Sequence, residues 1–504
     1  MADVKKNIAA NLIGNIWQTL VGLALVPVYI KFMGVEAYGL VGIFISLQIL
    51  AGMLDMGLNS TINREMARRS VLPGGGDEIR NLTRSLEIIY WSIAVVIGVI
   101  IVFVSPLIAQ YWIKGNSLSQ QTIAQAVLIM GLIMIIQWPA SLYANGLYGL
   151  QRHVPLNAIN IFMVTLRGIG AVLVLWLVSP TIQAFFIWQI FVSAAHTALL
   201  VFYLWQNLPS GGNKPVFQIH LLKSVGRFAA GVASVTILSI ILTQMDKVIL
   251  SKMLSLEEFG YYTVAGIVAM SPLRIAFPVF AGIYPKFTQI VSLADYECLE
   301  RTYHKACQLM AALIAPFSVI VAFFSYDLIA LWTQNPTIAE NTYLLASILI
   351  CGTVFHSFLL APHALQLSFG WTRLLFFKNL VAVVALAPLI IYMTHIYGAT
   401  GAAWGWLFLN LGSVLIEIPI MHRRLLSKSM WKWYAQDVFV PLVTASLIAG
   451  IGKILMPPEI STWIMIAYLL FVSAATMAAT AMITPATREW LLAQLLKTRE
   501  RYAK

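Results

Sequence analysis

Charge is scarce in this sequence. Asp, Glu, Lys and Arg make up 10% of its 504 residues, against about 25% in an average soluble domain. A water-soluble fold of this size would lack the polar surface to cover itself, which excludes a cytosolic enzyme, a nucleic-acid binder and a disordered chain. Cysteine is scarce too. Cys298, Cys307 and Cys351 have no metal-ligand spacing and form no disulfide framework. A glycine-rich nucleotide loop and a coiled-coil signal are both missing, so nothing supports ATP-driven pumping by this chain alone. What is abundant is apolar: 60% of residues, with a mean hydropathy of +0.83. The composition predicts a polytopic membrane protein. The net charge of +12 then reads as basic loops facing anionic lipid head groups rather than a nucleic-acid surface.

A helix needs about 20 mainly apolar residues to cross a bilayer. Runs of that kind lie near 9–30, 39–59, 87–110, 124–147, 157–178, 181–204, 228–250, 260–284, 308–332, 342–362, 375–394, 398–421, 437–455 and 461–483. They predict an all-α protein of about fourteen transmembrane helices, with no connection long enough for a soluble domain. The first run has two lysines before it and no small-residue cleavage site after it, and is expected to be a spanning helix rather than a removed signal. With a cytoplasmic N-terminus, 25 of the 32 lysines and arginines fall on the inside, four outside and three within helices. That bias predicts both termini in the cytoplasm. The C-terminal stretch from Pro485 places Trp490, Leu491 and Leu495 apart from Arg488, Lys497 and Arg499, the pattern of an amphipathic helix resting on the inner leaflet.

An internal repeat is also present. Gly34-Val35-Glu36-Ala37-Tyr38-Gly39 follows segment 1, and Ser255-Leu256-Glu257-Glu258-Phe259-Gly260 follows segment 7, 221 residues later. Six helices separate the copies, so both have the same orientation: a parallel repeat, as in secondary transporters with a substrate site between lobes. The expected division is an N-terminal lobe at 1–222, a C-terminal lobe at 223–422, and two extra helices with a tail at 423–504.

The segment Tyr29-Ile30-Lys31-Phe32-Met33-Gly34-Val35-Glu36-Ala37-Tyr38-Gly39-Leu40, continued by Leu54-Asp55-Met56-Gly57-Leu58-Asn59, Arg64-Glu65 and Arg68, resembles the start of polysaccharide-type lipid-linked oligosaccharide flippases, including O-antigen flippases. These belong to the multidrug/oligosaccharidyl-lipid/polysaccharide exporter superfamily. Asp246-Lys247-Val248-Ile249-Leu250 with Glu258-Phe259-Gly260-Tyr261-Tyr262 is similar to that family's helix 7–8 junction, and Gln366 with Gly370-Trp371-Thr372-Arg373 to its helix 10–11 connection. The resemblance covers residues 1 to about 420. It implies a transporter of the bacterial inner membrane that flips undecaprenyl-pyrophosphate-linked oligosaccharide from inner to outer leaflet by alternating access between two lobes. It also implies work alongside a polysaccharide polymerase and a chain-length regulator in lipopolysaccharide or other surface-polysaccharide biosynthesis. Lipid II flippases share the fold, but their N-terminal arginine pattern is not found.

Ionisable groups at membrane depth are costly and usually face a cavity or a partner. Arg167 and Arg274 lie mid-helix in segments 5 and 8, one per lobe. A guanidinium forks onto phosphate oxygens and keeps its charge. The pair is expected to line a central cavity and bind the pyrophosphate or an acidic sugar, the alternative being that each pairs with a carboxylate such as Asp55 or Glu417. Asn11, Asn15 and Gln18 form a polar face on segment 1, fit either for sugar hydroxyls or for interhelical bonds. Gln137, Ser141 and Asn145, the set Gln48, Asp55 and Asn59, and the set Asn410, Ser413 and Glu417 form further stripes. Asp55, Asp246, Lys247 and Glu417 are the candidates for gating or ion coupling. A salt bridge or cap is the competing role for Asp246, which need not pair with adjacent Lys247, and snorkelling to a basic side chain for Asp55 and Glu417. Pro272, Pro278 and Pro285 mark segment 8 as the helix expected to bend. His356 and His363 lack a third ligand, so no metal site is expected.

No catalytic residue and no cofactor is expected. A membrane glycan polymerase or ligase would need acid–base groups on a sizeable outer loop, and here the outer acids are Glu36, Glu257, Glu258, Glu340 and Glu459 on short loops. A multidrug exporter of the same superfamily is the remaining alternative.

Overall fold

The computed structural model describes residues 2–489 except 56, 71–74, 428 and 459, with 2–5, 8, 60, 220 and 222–235 described by backbone alone. Helices account for nearly all of it, and no β-strand occurs among the described residues. That follows from the solvent. Hydrocarbon offers no hydrogen bonds, so each crossing segment must satisfy its own backbone. The expected tail residues Trp490, Leu491, Leu495, Lys497 and Arg499 lie outside the described residues, while Arg488 sits on a short helical turn after Thr484.

The chain divides into two compact units, Met1–Gly260 and Tyr261–Lys504. The first contains α1 (Ala2–Ala51), α2 (Leu58–Arg69), α3 (Gly75–Leu107), α4 (Gln120–Gln137), α5 (Ala140–Gly149), α6 (His153–Leu177), α7 (Ile182–Asn207) and α8 (Ile219–Met253). The helix α9 (Leu256–Ala269) leads into the second, which holds α10 (Ser271–Ser292), α11 (Tyr296–Phe323), α12 (Ser325–Thr333), α13 (Pro336–Phe358), α14 (Leu360–Ser368), α15 (Arg373–Tyr397) and α16 (Ala399–Leu425), then α17 (Met430–Lys432), α18 (Val440–Ile454) and α19 (Thr462–Ile483). The expected lobe boundary at 222 precedes most of α8. The packing of α8 on α1, α2 and α3 puts it with the first unit.

Twelve described helices or helix pairs are long and apolar enough to cross a membrane. The first, Ala9–Asp55, holds two of the expected segments, and α8 coincides with a further one, so each of the fourteen predicted runs has its main part on helix. The chain is a multi-pass membrane protein. Large apolar side chains such as Phe103, Trp176, Phe202 and Phe471 point outward, the inverse of a soluble surface.

The helices are less continuous than the apolar runs suggest. Segment 2 does not run on to 59. It ends in a 3₁₀ turn at Gly52–Asp55, and the chain turns at Gly57 (φ 74°) into amphipathic α2. The break between segments 1 and 2 is confined to Gly34, whose φ of 83° and ψ of 164° suit glycine and few other residues. Segment 4 is interrupted at Trp138-Pro139, segment 10 at Leu359, and segment 8 at Met270, just before Pro272 opens α10. Proline lacks the N–H that a helix interior needs but is well placed in a first turn.

In the first unit α1 packs on α6 and α4 on α3 and α7, while α2, α3, α5 and α7 enclose Met66, Leu86, Tyr90, Tyr143, Leu147 and Leu204. In the second, α11 is the hub. Small residues Ala306, Ala311, Ala312 and Ala315 let α10, α13, α18 and α19 approach it closely. The helices α18 and α19 therefore join this unit, held by Asp437, which bonds His304 and accepts a hydrogen bond from Gln308 Nε2 (2.8 Å) on α11.

The repeat shows itself in a reciprocal contact within the first unit. A Cβ added at Gly39 would stand 2.3 Å from the Leu256 carbonyl oxygen, and one at Gly260 would stand 2.4 Å from that of Val35. Residues 35 and 39 are the counterparts of 256 and 260, so each copy presents its glycine to the other's backbone, as at a two-fold contact. Glu36 secures the first copy by accepting backbone N–H bonds from Asn116 (2.6 Å) and Ser117 (2.9 Å). Because backbone cannot yield like a flexible side chain, Gly39→Ala is expected to lower the unfolding midpoint by several degrees. Gly22→Ala, with nothing within 4 Å of its added Cβ, is expected to be neutral or mildly stabilising. Thermal unfolding in detergent measures both, and equal midpoints for the two variants would remove the close-contact account.

Candidate functional site

Arg167 stands mid-helix on α6, where α1 and α7 pack against it. Its Nη2 donates one long hydrogen bond to Ser193 Oγ (3.4 Å), while Nε is buried without a partner. Tyr29 and His196 stand beside it. Both have other engagements: Tyr29 donates to the Gly168 carbonyl (3.1 Å), and His196 Nε2 lies 3.1 Å from Asn160 Oδ1. No carboxylate is within ion-pair distance of Arg167 among the described residues. Arg274, on α10, is exposed and likewise has no described ion pair. Neither arginine is bound to Asp55 or Glu417, the partners that a packing role had suggested.

The polar faces divide. Asn11 joins α1 to α6: its Nδ2 lies 3.1 Å from His153 Nδ1, and its Oδ1 accepts from Asn157 Nδ2 (2.6 Å). That amide serves helix packing. Asn15 is exposed and Gln18 half-buried, and neither side chain is hydrogen-bonded among the described residues. Gln48 Nε2 donates to Gln137 Oε1 (2.8 Å), while Ser141 donates to the Trp138 carbonyl just before its helix and Asn145 to the Ser141 carbonyl within it.

Gln48, Gln137 and Ser141 line a cavity of about 330 Å³ together with Asp55, Asn59 and Trp138. Asp55 ends the 3₁₀ turn there. Its carboxylate accepts from the Asn59 backbone (3.2 Å) and from the Tyr90 hydroxyl, and Tyr90 stacks on Trp138 at 4.7 Å. No cation pairs with Asp55 among the described residues. It is thus a carboxylate at a polar cavity, held by neutral donors only.

The other two acids among the candidates are paired. Lys247 folds back onto its neighbour, with Nζ 2.9 Å from Asp246 Oδ2 and 3.0 Å from the Thr243 carbonyl oxygen. Glu417, fully buried on α16, accepts from Gln366 Nε2 (2.7 Å) and Lys378 Nζ (2.9 Å). His363 Nε2 stands 2.9 Å from its Oε1, out of line for a hydrogen bond. His356 Nδ1 on α13 lies 3.0 Å from Asn410 Oδ1 on α16. The histidines therefore belong to polar packing of α13, α14 and α16.

Several charged residues escaped the sequence reading. Glu65 on α2 is buried and bonds Arg64, Arg68 and Arg69, while Arg69 reaches Glu78 on α3 (2.6 Å). Burial raises the Glu65 pKa, but the bonds from Arg69 and Arg64 and the nearby charges outweigh it and leave the group below its ordinary value. Glu87 accepts from Tyr143 (2.9 Å) and Trp205 (2.8 Å) and pairs with Arg84 (3.0 Å). The advance signal for Glu87 was an acid at the edge of an apolar run, while Glu65 lies on the polar helix α2 and was visible only as part of the Arg64-Glu65 motif.

Comparison with known proteins agrees with this architecture. A family model described as polysaccharide biosynthesis protein matches residues 4–291. A putative O-antigen transporter from Shigella flexneri is 21% identical over 411 residues, covering 80% of this chain and 94% of that one. Among solved structures, the lipid II flippase MurJ in an inward closed conformation superposes with a TM-score of 0.71 at 14% identity, covering 95% of this chain and 98% of that one. An inward-facing multidrug resistance MATE family transporter of the MOP superfamily does so at 0.66 and 15% identity, covering 83% and 96%. The fold is that of these two-lobed transporters.

Removing one partner of a buried ion pair costs about 3–5 kcal/mol, because the other charge is left uncompensated. Glu417→Gln is expected to destabilise the protein on that scale, and Glu417→Gln with Lys378→Met to recover most of the loss. Unfolding midpoints of the two variants decide the point. An unchanged midpoint for the single substitution contradicts the pairing account.

Proposed function

The chain belongs to the polysaccharide biosynthesis protein family, and from that premise we propose that it flips an undecaprenyl-pyrophosphate-linked oligosaccharide, such as an O-antigen repeat, across a bacterial inner membrane by alternating access. The O-antigen transporter relative and the flippase fold support the substrate class. The observation that carries the reading is the pair Arg167 and Arg274. Arg167 lies mid-helix on α6, whereas Arg274 lies in the first turn of α10, midway along the transmembrane stretch Leu256–Ser292 but not mid-helix as its apolar run suggested, and neither meets a carboxylate among the described residues. An arginine at the centre of a spanning helix costs about 2.5–3.5 kcal/mol on insertion scales. A cation maintained at that cost without a protein counter-ion is suited to an anion that comes and goes, and a guanidinium fits phosphate oxygens. Each arginine engages the diphosphate or an acidic sugar during passage. Asn15 and Gln18, with free amides, are offered to sugar hydroxyls, and Asn11 to keeping α1 on α6.

Asp55 is the coupling candidate of choice, because only neutral groups hold it. Glu417 and the Asp246–Lys247 pair, with their charges compensated, act as anchors. Both termini are assigned to the cytoplasm on the lysine and arginine bias, and the two repeat-based lobes are the moving parts, with α8 moving with the first lobe on which it packs. The flipped product is handed to a polysaccharide polymerase working with a chain-length regulator, so the chain itself carries no catalytic group.

Arg167→Gln with Arg274→Gln is expected to cut glycan export at least tenfold at normal protein level, since each lost charge-assisted bond is worth about 1.5–3 kcal/mol. Lipid-linked repeats then accumulate on the inner leaflet. Undiminished export by the folded double variant sinks the reading, and raised drug susceptibility with normal glycan points to a multidrug exporter instead. Asp55→Asn is expected to make residual export insensitive to a protonophore. Export that still collapses on adding the protonophore would exclude Asp55 as the coupling group.

A further inference from the structure

We infer that the cleft between α15 and α16 is a seat for the isoprenoid chain of the lipid diphosphate, with arginines beyond one of its ends meeting the diphosphate; the assignment rests on the function proposed above. The cleft has a volume of about 420 Å³ and is walled by Leu374, Phe377, Val381, Leu389, Phe408 and Ile416. Its floor opens at Gly412, where an added Cβ would meet nothing within 4 Å. The polar side chains on its wall ask nothing of an occupant. Lys378 and Glu417 are bound to each other, and Ser413 donates to the Leu409 carbonyl (2.9 Å). From Leu374 to Leu389 the wall extends about 22 Å at 1.5 Å per residue, room for part of a long single chain.

Charge selects the occupant. Arg373 lies one turn before Phe377, and Arg424 one turn beyond Ile420, stacked 4.3 Å over Trp371, with Arg423 beside it. All three are exposed, and none has an ion pair among the described residues. Between 341 and 436 the sole acid is Glu417, already taken by Lys378, while 388–408 at the other end contains no lysine or arginine. An apolar slot with three unopposed cations at one end is complementary to a single hydrocarbon tail bearing a multiply charged head. A diacyl phospholipid offers two chains and a smaller charge.

The test uses the full chain in nanodiscs and a photoreactive geranylgeranyl diphosphate, compared with photoreactive geranylgeraniol and photoreactive phosphatidylglycerol. Cross-links of the diphosphate probe are expected within 374–389 and 408–420, displaced by excess unlabelled geranylgeranyl diphosphate but not by phosphatidylglycerol. Gly412→Leu, which fills the floor, is expected to reduce labelling about tenfold, and Ala385→Phe likewise. Arg423→Gln with Arg424→Gln is expected to reduce diphosphate labelling about tenfold and leave the alcohol unchanged. Equal labelling by phosphatidylglycerol, or failure of unlabelled diphosphate to compete on the wild-type chain, overturns the assignment without depending on any variant folding. Export that depends on Arg167 and Arg274 beside an unlabelled cleft overturns this inference alone. A labelled cleft with arginine-independent export upholds it and overturns the proposed function.

Discussion

Hydrocarbon cannot solvate a charge, and a guanidinium cannot give its proton up to escape the penalty. The way this protein meets that constraint organises the rest of the structure. Glu417 is met by Lys378 and Gln366, Asp246 by Lys247, Glu87 by Arg84, Tyr143 and Trp205. Each acid is answered within its own unit, Asp246 from its own helix and Glu417 and Glu87 also by donors from neighbouring helices, and those interhelical bonds double as the glue that apolar packing alone does not supply in lipid. Against that background the uncompensated groups stand out. Arg167, Arg274 and Asp55 lack an opposite charge among the described residues, and they are the groups to which the proposed function gives a role.

Backbone irregularity follows the same logic. A broken helix in lipid frees polar groups that must find partners or water. The breaks here are backed by local chemistry: glycine at 34, a 3₁₀ turn leading to Gly57, and proline opening the segments after Trp138 and Met270. Two of them, at 52–57 and at 138–139, adjoin the polar cavity where Asp55, Gln48 and Gln137 meet. Irregular backbone at membrane depth is tolerated where it lines such a space. Continuous and broken helices therefore coexist in each unit.

Much of this was legible in the sequence, because the bilayer simplifies the code. Apolar runs of spanning length located all fourteen segments, and the hexapeptide repeat was visible, although not that its two copies meet at Gly39 and Gly260. Partners were less legible. Hydropathy reports that Glu417 is buried, but not that Lys378 lies one helix away. Periodicity placed Asn11, Asn15 and Gln18 on one face without telling that Asn11 is spent on His153 and Asn157 while its neighbours are free. Asp246 and Lys247 point apart on an ideal helix, yet the long lysine stem closes the gap. Contacts of this kind depend on which helices become neighbours, and one chain read linearly does not carry that information.

The central claim is that the unpaired arginines recognise a diphosphate. Its most direct test is leaflet transfer in proteoliposomes, reading the dithionite-accessible fraction of a fluorescent glycan carried either on a polyprenyl diphosphate or on the uncharged polyprenol. The wild-type protein is expected to move the diphosphate far faster, and Arg167→Gln to erase the difference. Equal transfer of both lipids by the wild-type protein would contradict the claim.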